Sequence, residues 1–267
     1  MIAIHAVLSA LTVLTAQPTP PAAAPAMEIV VNIPSGRLDV LQGGVRVRSY
    51  PVSVGTVAHT TPTGEGTVRR VVWNPSWTPP EAEWARNEKP KAPGWSNPMG
   101  RVKIHLFRDY YIHGTPAGNE RRLGAPASHG CIRMANRDVM ELAALVLRAD
   151  GSTLSDADIQ RIASNPAATR ELGLNGRVQV RIEYRLAEVQ GDSVTLHPDV
   201  YRVARGDYAA RVRSEITSAG GDPAAIAHLN LAAAPAAPVR VARDSLPLPV
   251  VAPKLAAVTS LGAVALR

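Results

Sequence analysis

Six prolines and all four tryptophans of the 267-residue chain fall between Trp73 and Met99, in "WNPSWTPPEAEWARNEKPKAPGWSNPM". Proline fixes φ and has no N–H to donate, so this stretch can be neither a helix nor the interior of a sheet. It reads as a long ordered loop or lid, around which the more regular parts of the chain have to fold. Trp73, Trp77, Trp84 and Trp95 either bury the loop against a sheet or offer a platform to a sugar or peptide ligand. The two readings can apply to different tryptophans.

The part before the loop is β-like. "EIVVNIPSGRLDVLQGGVRVRSYPVSVG" has short runs of Val and Ile broken at Ser35-Gly36 and Gly43-Gly44, as in antiparallel hairpins. "TPTGEGTVRRVVW" predicts a turn over Pro62–Gly66 and then another strand. After the loop, "RVKIHLF" and "YYIHG" read as strands. "RDVMELAALVLRAD" carries apolar residues at helical spacing, with Asn136 as its cap and Gly151 as its stop. "SDADIQRIASN" and "AATRELGL" read as short helices, the first capped by Ser155, and "RVQVRIEYRL" as a closing strand. Beyond Glu188, "GDSVTLHPDVYRV" gives a strand and turn, followed by two small helices. The fold class expected is mainly β with a few helices.

Domain boundaries follow from these shifts in composition. Residues 1–26 are a signal-like apolar segment and a Pro/Ala linker, and 27–187 form the main domain, with a helical insertion at about 151–173. Residues 188–231 form a small α/β extension, and 232–267 an Ala/Pro-rich tail expected to be disordered or extended. "MIAIHAVLSALTVLTAQ" is too short to span a bilayer as a helix, which takes about 20 apolar residues. It reads as the apolar core of a secretory signal with cleavage after Ala16 or Ala26, although no Lys or Arg precedes Arg37. Export to a periplasm or cell wall is the expectation. The net charge of +7 favours anionic partners such as a cell-wall polymer or a membrane surface. Its basic residues are scattered in ones and twos without interleaved aromatics, so no nucleic-acid partner is expected.

The one cysteine, Cys131, lies in "ASHGCIRMAN". In an exported chain it has no internal disulfide partner, which leaves a nucleophile, a metal ligand or a buried thiol. A nucleophilic thiol needs a proton acceptor, and two histidines are at hand: His129, two residues before it, and His113, eighteen before it at the end of "YYIHG". The turn-rich segment between His113 and Cys131 allows the strand end to fold back onto the cysteine. The helix after Asn136 would also aim its N–H groups toward the thiol. Gly130 lacks a Cβ, so backbone there can come close to a tetrahedral oxyanion. His113, His129 and Cys131 would make a zinc site only with further support, and neither a second cysteine nor a nearby acidic ligand supplies it. No metal and no cofactor are expected. His59 is a candidate for the pocket wall; His105, His197 and His228 have no partner pattern.

"IHGT" followed by "SHGCIRM" resembles the active-site signature of the YkuD-type L,D-transpeptidases, a family that cross-links peptidoglycan through a cysteine. "YPVSVG", "TPTGEGTV", "NPSWTPP" and "NPMG" stand in the order expected for its strands and loop. The resemblance runs over about residues 27–150 and on to the closing strand. It implies a YkuD-like β-sandwich or mixed sheet, Cys131 as nucleophile and His113 as the residue that takes and returns its proton. By the same resemblance the Gly114 carbonyl would orient His113, Gly130 and Cys131 N–H groups would form the oxyanion hole, and His129 would support the cysteine loop. Ser128 and Arg133 would shape the substrate pocket, Arg133 by pairing with a substrate carboxylate. The partners implied are peptidoglycan stem peptides, with an amine of another stem or of an envelope lipoprotein as acceptor. A hydrolase or carboxypeptidase on the same Cys-His site, and a non-catalytic wall-binding protein, are the alternatives. The chain departs from the family in its 151–173 insertion and in "VTLHPDVY", which resembles an extension of some Gram-negative members.

Overall fold

The computed structural model describes residues 27–107 and 110–242; the signal-like segment 1–26 and the tail from 243 onward lie outside them. The chain opens with β1 (Met27–Asn32), β2 (Arg37–Gln42) and β3 (Val45–Pro51), joined by the two hairpins that the Gly-containing turns predict. β4 (Gly64–Thr67) and β5 (Arg70–Trp73) follow, then β6 (Val102–His105), β7 (Tyr111–Thr115) and β8 (Ile132–Ala135). After them come α1 (Asn136–Ala149), α2 (Asp156–Ser164), β9 (Arg170–Gly173) and β10 (Val178–Glu183). One five-stranded sheet has the order β3-β2-β1-β10-β4, and another the order β8-β7-β6-β5-β9. The fold class is mainly β with few helices.

The two sheets and α1 share one buried cluster. Ile29, Val31 and Leu38 from the first sheet join Val71, Ile104, Ile112, Ile132 and Met134 from the second. Val139, Leu142, Ala143, Val146 and Leu147 add the apolar stripe of α1, at the three- and four-residue spacing of a helix face. β4 and β5 are separated by two residues yet belong to different sheets, because Val68 is buried between them with its N–H donated to the Val178 carbonyl at 3.0 Å. The turn expected over Pro62–Gly66 is therefore partly strand. Gly64 and Gly66 pair with β10 while their missing side chains leave room for the Phe107 ring.

Three other local readings change. "AATRELGL" contains the strand β9 rather than a helix, since the outer edge of β5 offers an unpaired ladder that the short Arg-Glu-Leu-Gly sequence fills. Asn74 Nδ2 fixes the approach by donating to the carbonyls of Ile162, Asn165 and Ala168. α2 does begin at a capping box formed by Ser155 and Asp158. Residues 239–242, expected within a disordered or extended tail, form a strand, β13 (Val239–Ala242). It pairs with β12 (Ser193–Leu196), which pairs with β11 (Ala187–Gln190). With α3 (Tyr208–Ser218) these strands enclose a second apolar cluster around Leu196, Val212, Ile216 and Val241. The α/β extension thus runs on to residue 242. Isolated strand residues in an Ala/Pro-rich context carry too little local signal to reveal this without their partners.

Asn136 is the third. It is the first residue of α1, preceded by Ala135, and caps nothing. Its side chain is buried and ties two strand ends together. Oδ1 accepts the Arg101 N–H at 2.8 Å and Nδ2 donates to the Thr115 carbonyl at 2.9 Å. Gly100 and Gly114 make room for it, because a Cβ on either would lie 2.3 or 2.2 Å from Asn136 Oδ1. Asn136→Ala leaves a buried donor and a buried acceptor without partners. We expect a loss of about 2–4 kcal/mol in urea unfolding, with the same slope of free energy against urea as the wild type.

Candidate active site

β7 and β8 are parallel neighbours, with Ile112 opposite Ile132 and His113 opposite Arg133. Parallel strands cannot be joined by a tight turn, and the connection here is residues 116–131, including the short 3-10 helix Ala117–Arg122. The spacing between His-Gly and Ser-His-Gly-Cys is the length of that crossover. Because of it, Cys131 enters β8 at the level of Tyr111, two residues from His113. Across the sheet one row reads Lys103, His113, Arg133, from three adjacent strands.

His113 is buried, and its Nδ1 lies 2.6 Å from the Gly114 carbonyl. A carbonyl only accepts, so Nδ1 carries the proton and Nε2 keeps its lone pair. Burial above all, then the charge of Arg133, lowers its pKa from 6.5 to about 4, opposed by the Gly114 carbonyl, with Lys103 also lowering it. At neutral pH the imidazole is therefore an uncharged base. Cys131 is partly exposed. Burial pushes its thiol up, while a backbone hydrogen bond from Tyr111 and the charges of Arg133 and Lys103 act in the opposite sense. The site rests as a thiol beside a neutral imidazole, with two cations placed to favour the thiolate once the proton leaves.

The turn before the cysteine is held from several sides. Gly130 adopts φ +110°, outside the range comfortable for other residues. Ser128 Oγ donates to the Cys131 carbonyl at 2.5 Å and accepts the Gly130 N–H at 3.0 Å. The family resemblance implies both the Gly130 and the Cys131 N–H as oxyanion donors; the structure spends the Gly130 N–H inside the turn, which leaves the Cys131 N–H as the expected donor. Ser128 is correspondingly a buried brace rather than a pocket wall. Arg133 Nη1 donates to the Ala127 carbonyl at 2.9 Å, so this guanidinium also holds the turn.

His129 does not brace the loop through backbone bonds as expected. It is exposed and makes ring contacts, stacked on Trp84 with centroids 4.0 Å apart and edge-on to His59 at 4.9 Å. Its pKa is lowered by burial first and then by His59 and Arg133. Trp84, on a 3-10 turn of the Pro/Trp loop, is thus brought to the catalytic turn, whereas Trp73 ends β5 inside the core. The helix N-terminus expected to face the thiol is displaced by β8, and the Asn136 N–H goes to Glu120 Oε1 at 3.3 Å. Sequence reasoning missed Lys103. Its signal was the alternation in "RVKIH", which sets Lys103 on the half-exposed face opposite buried Val102 and Ile104.

A thiol and a carbonyl-oriented histidine thus stand on adjacent parallel strands of a mainly β domain. Residues 26–195 match the YkuD L,D-transpeptidase catalytic domain, and the chain belongs to that family. It is 32% identical over 119 residues to the putative L,D-transpeptidase YkuD of Bacillus subtilis (strain 168), covering 44% of this chain and 59% of that protein. It is 34% identical over 120 residues to the probable L,D-transpeptidase YbiS of Escherichia coli (strain K12), covering 42% and 39%. The chain therefore spans little more than half the length of these relatives, or less. Among solved structures, the catalytic domain of an Enterococcus faecium L,D-transpeptidase ("E. faecium") aligns with 60% of this chain and 98% of its own, at 12% identity and a TM-score of 0.39. An L,D-transpeptidase from Mycobacterium smegmatis aligns over 59% and 58%, at 18% identity and a TM-score of 0.36.

Two measurements follow from the charges. The unfolded chain takes up a proton on His113 near pH 6.5 and the folded chain only near pH 4. Stability should therefore fall as pH drops through that window, by up to about 3 kcal/mol from this residue. The fall should be shallower in His113→Gln, by urea unfolding at each pH. Lys103→Met removes a charge that favours the thiolate, so the pH midpoint of Cys131 alkylation by iodoacetamide should rise.

Proposed function

We propose that the chain is an exported L,D-transpeptidase acting on peptidoglycan stem peptides through Cys131. His113 Nε2 takes the thiol proton as Sγ attacks the carbonyl that joins the L-centre of the third stem residue to the terminal D-alanine. The tetrahedral oxyanion develops near the Cys131 N–H, and the cations Lys103 and Arg133 favour negative charge around it. Collapse breaks the C–N bond, His113 returns the proton to the departing amine, and D-alanine leaves a thioester on Cys131. An acceptor amine then attacks the thioester, its proton passes to His113, and the thiol is restored. With another stem peptide as acceptor the product is a 3-3 cross-link; with a lysine of an envelope lipoprotein it is a protein anchor.

The observation that supports this reading is the parallel β7–β8 pair, whose register puts His113, with Nε2 free of its proton, and a partly exposed Cys131 on adjacent strands. Membership of the family supports the substrate class. The apolar N-terminal segment supports export to a periplasm or cell wall, and the net charge of +7 suits a polyanionic wall.

Incubation of the purified chain with muropeptides, read by mass, tests it. We expect cross-linked dimers or exchange of the terminal D-amino acid. Shortened peptides alone would make the chain a carboxypeptidase on the same site. Cys131→Ala should lose all product and all carbapenem adduct, and His113→Ala should slow both by roughly 10²–10⁴-fold. Product formation by Cys131→Ala at the wild-type rate would leave only a wall-binding role.

A further inference from the structure

The catalytic turn is also held from beyond the segment that matches the family. Tyr201 lies past residue 195, on a turn built around Asp199. The Asp199 carboxylate accepts the Tyr184 hydroxyl at 2.7 Å and the N–H groups of Val203 and Ala204 at 2.9 and 2.8 Å. The Tyr184 oxygen in turn accepts the Tyr201 N–H at 2.8 Å. Arg202 takes a positive φ of 58° to close this turn. Tyr201 is thus presented on a rigid support.

Its hydroxyl closes the base of the loop 55–61. Tyr201 Oη donates to the Gly55 carbonyl at 2.9 Å and accepts the Thr61 N–H at 3.0 Å. Thr61 Oγ1 accepts the Gly55 N–H at 2.8 Å and donates to the Gly130 carbonyl at 2.7 Å, and both bonds are buried. Each hydroxyl has one proton, and each donates it to a carbonyl, so the direction of the whole chain of bonds is determined. Its last acceptor is the carbonyl of the peptide that links Gly130 to Cys131. A trans peptide is planar, with C=O and N–H pointing oppositely. Fixing the Gly130 carbonyl toward Thr61 therefore fixes the Cys131 N–H in the opposite direction.

We propose that Tyr201, acting through Thr61, is a positioning residue for the Cys131 N–H, and that the C-terminal extension thereby takes part in acyl transfer. The proposal rests on the reading of Cys131 as an acyl-transfer nucleophile with its own N–H as oxyanion donor. The extension is then part of the catalytic unit rather than an appendage to it.

The test compares two reactions of the same thiol in the full chain. Imipenem acylation passes through a tetrahedral oxyanion; iodoacetamide alkylation does not. Tyr201→Phe should slow imipenem acylation about tenfold, less than the 10²–10³ that follows loss of an oxyanion donor itself, with alkylation near the wild-type rate. Thr61→Val should do the same, and Thr61→Ser, which keeps the hydroxyl, should restore the rate. The double variant Tyr201→Phe/Thr61→Val should be no slower than the slower single one, because both break one chain of bonds. Tyr208→Phe removes another buried hydroxyl of the extension, the donor to the His197 carbonyl, and should leave acylation unchanged. Equal slowing of acylation and alkylation would reduce Tyr201 to general support and overturn the proposal, as would wild-type acylation by Tyr201→Phe or losses that multiply in the double variant. A wild-type chain that takes iodoacetamide but no imipenem would instead overturn the acyl-transfer reading, and this proposal with it.

Discussion

Two adjacent strands running in the same direction cannot be connected by a hairpin, and the site depends on that restriction. β7 ends in His113-Gly114-Thr115, and the chain must travel back the length of the strand before β8 can start. Whatever stands at the end of that return is delivered next to the start of β7. Here it is a turn of Ser, His and Gly followed by Cys131. Histidine and cysteine are then neighbours because the backbone ladder of the sheet, not a flexible loop, sets their separation. Asn136 secures the far end of the same pair by binding Thr115 and Arg101. The apolar stripe of α1 covers the strands from behind.

The electrostatics of the site pull in opposing senses. Burial keeps both reacting groups neutral, lowering the basicity of His113 and raising the thiol. Lys103 and Arg133, on either side of His113 in the same row, add positive charge that penalises an imidazolium and rewards a thiolate. The result is a resting pair in which the proton stays on sulfur. Such a site has little thiolate at rest, and a thiol is less readily oxidised than a thiolate.

Much of this was legible in the residues. Hairpins announced by Gly-containing turns, the periodic stripe of α1 and the Ser155 cap are local signals, and local signals survive in a sequence. The pairing of His113 with Cys131 was readable from the turn-rich segment between them and from the likeness of "IHGT" and "SHGCIRM" to a family signature. What was not legible depended on partners distant in the chain. "RELG" became a strand because β5 had an open edge, and Val239–Ala242 because β12 had one. Asn136 looked like a cap because its sequence position fits one, while its buried amide was claimed by two strands elsewhere. Gly130 looked like an oxyanion donor until Ser128 Oγ took its N–H. In each case the deciding group lies on a different element.

The stack of Trp84 on His129 joins the proline-rich loop to the catalytic turn through two flat faces rather than through a hydrogen bond. Contacts of this kind have no donor or acceptor to orphan when they part. One ring can slip across the other in its own plane with the surfaces still touching. The loop can therefore shift over the turn before Cys131 by shear while the two faces stay in contact, and what such a slip uncovers is a flat aromatic face.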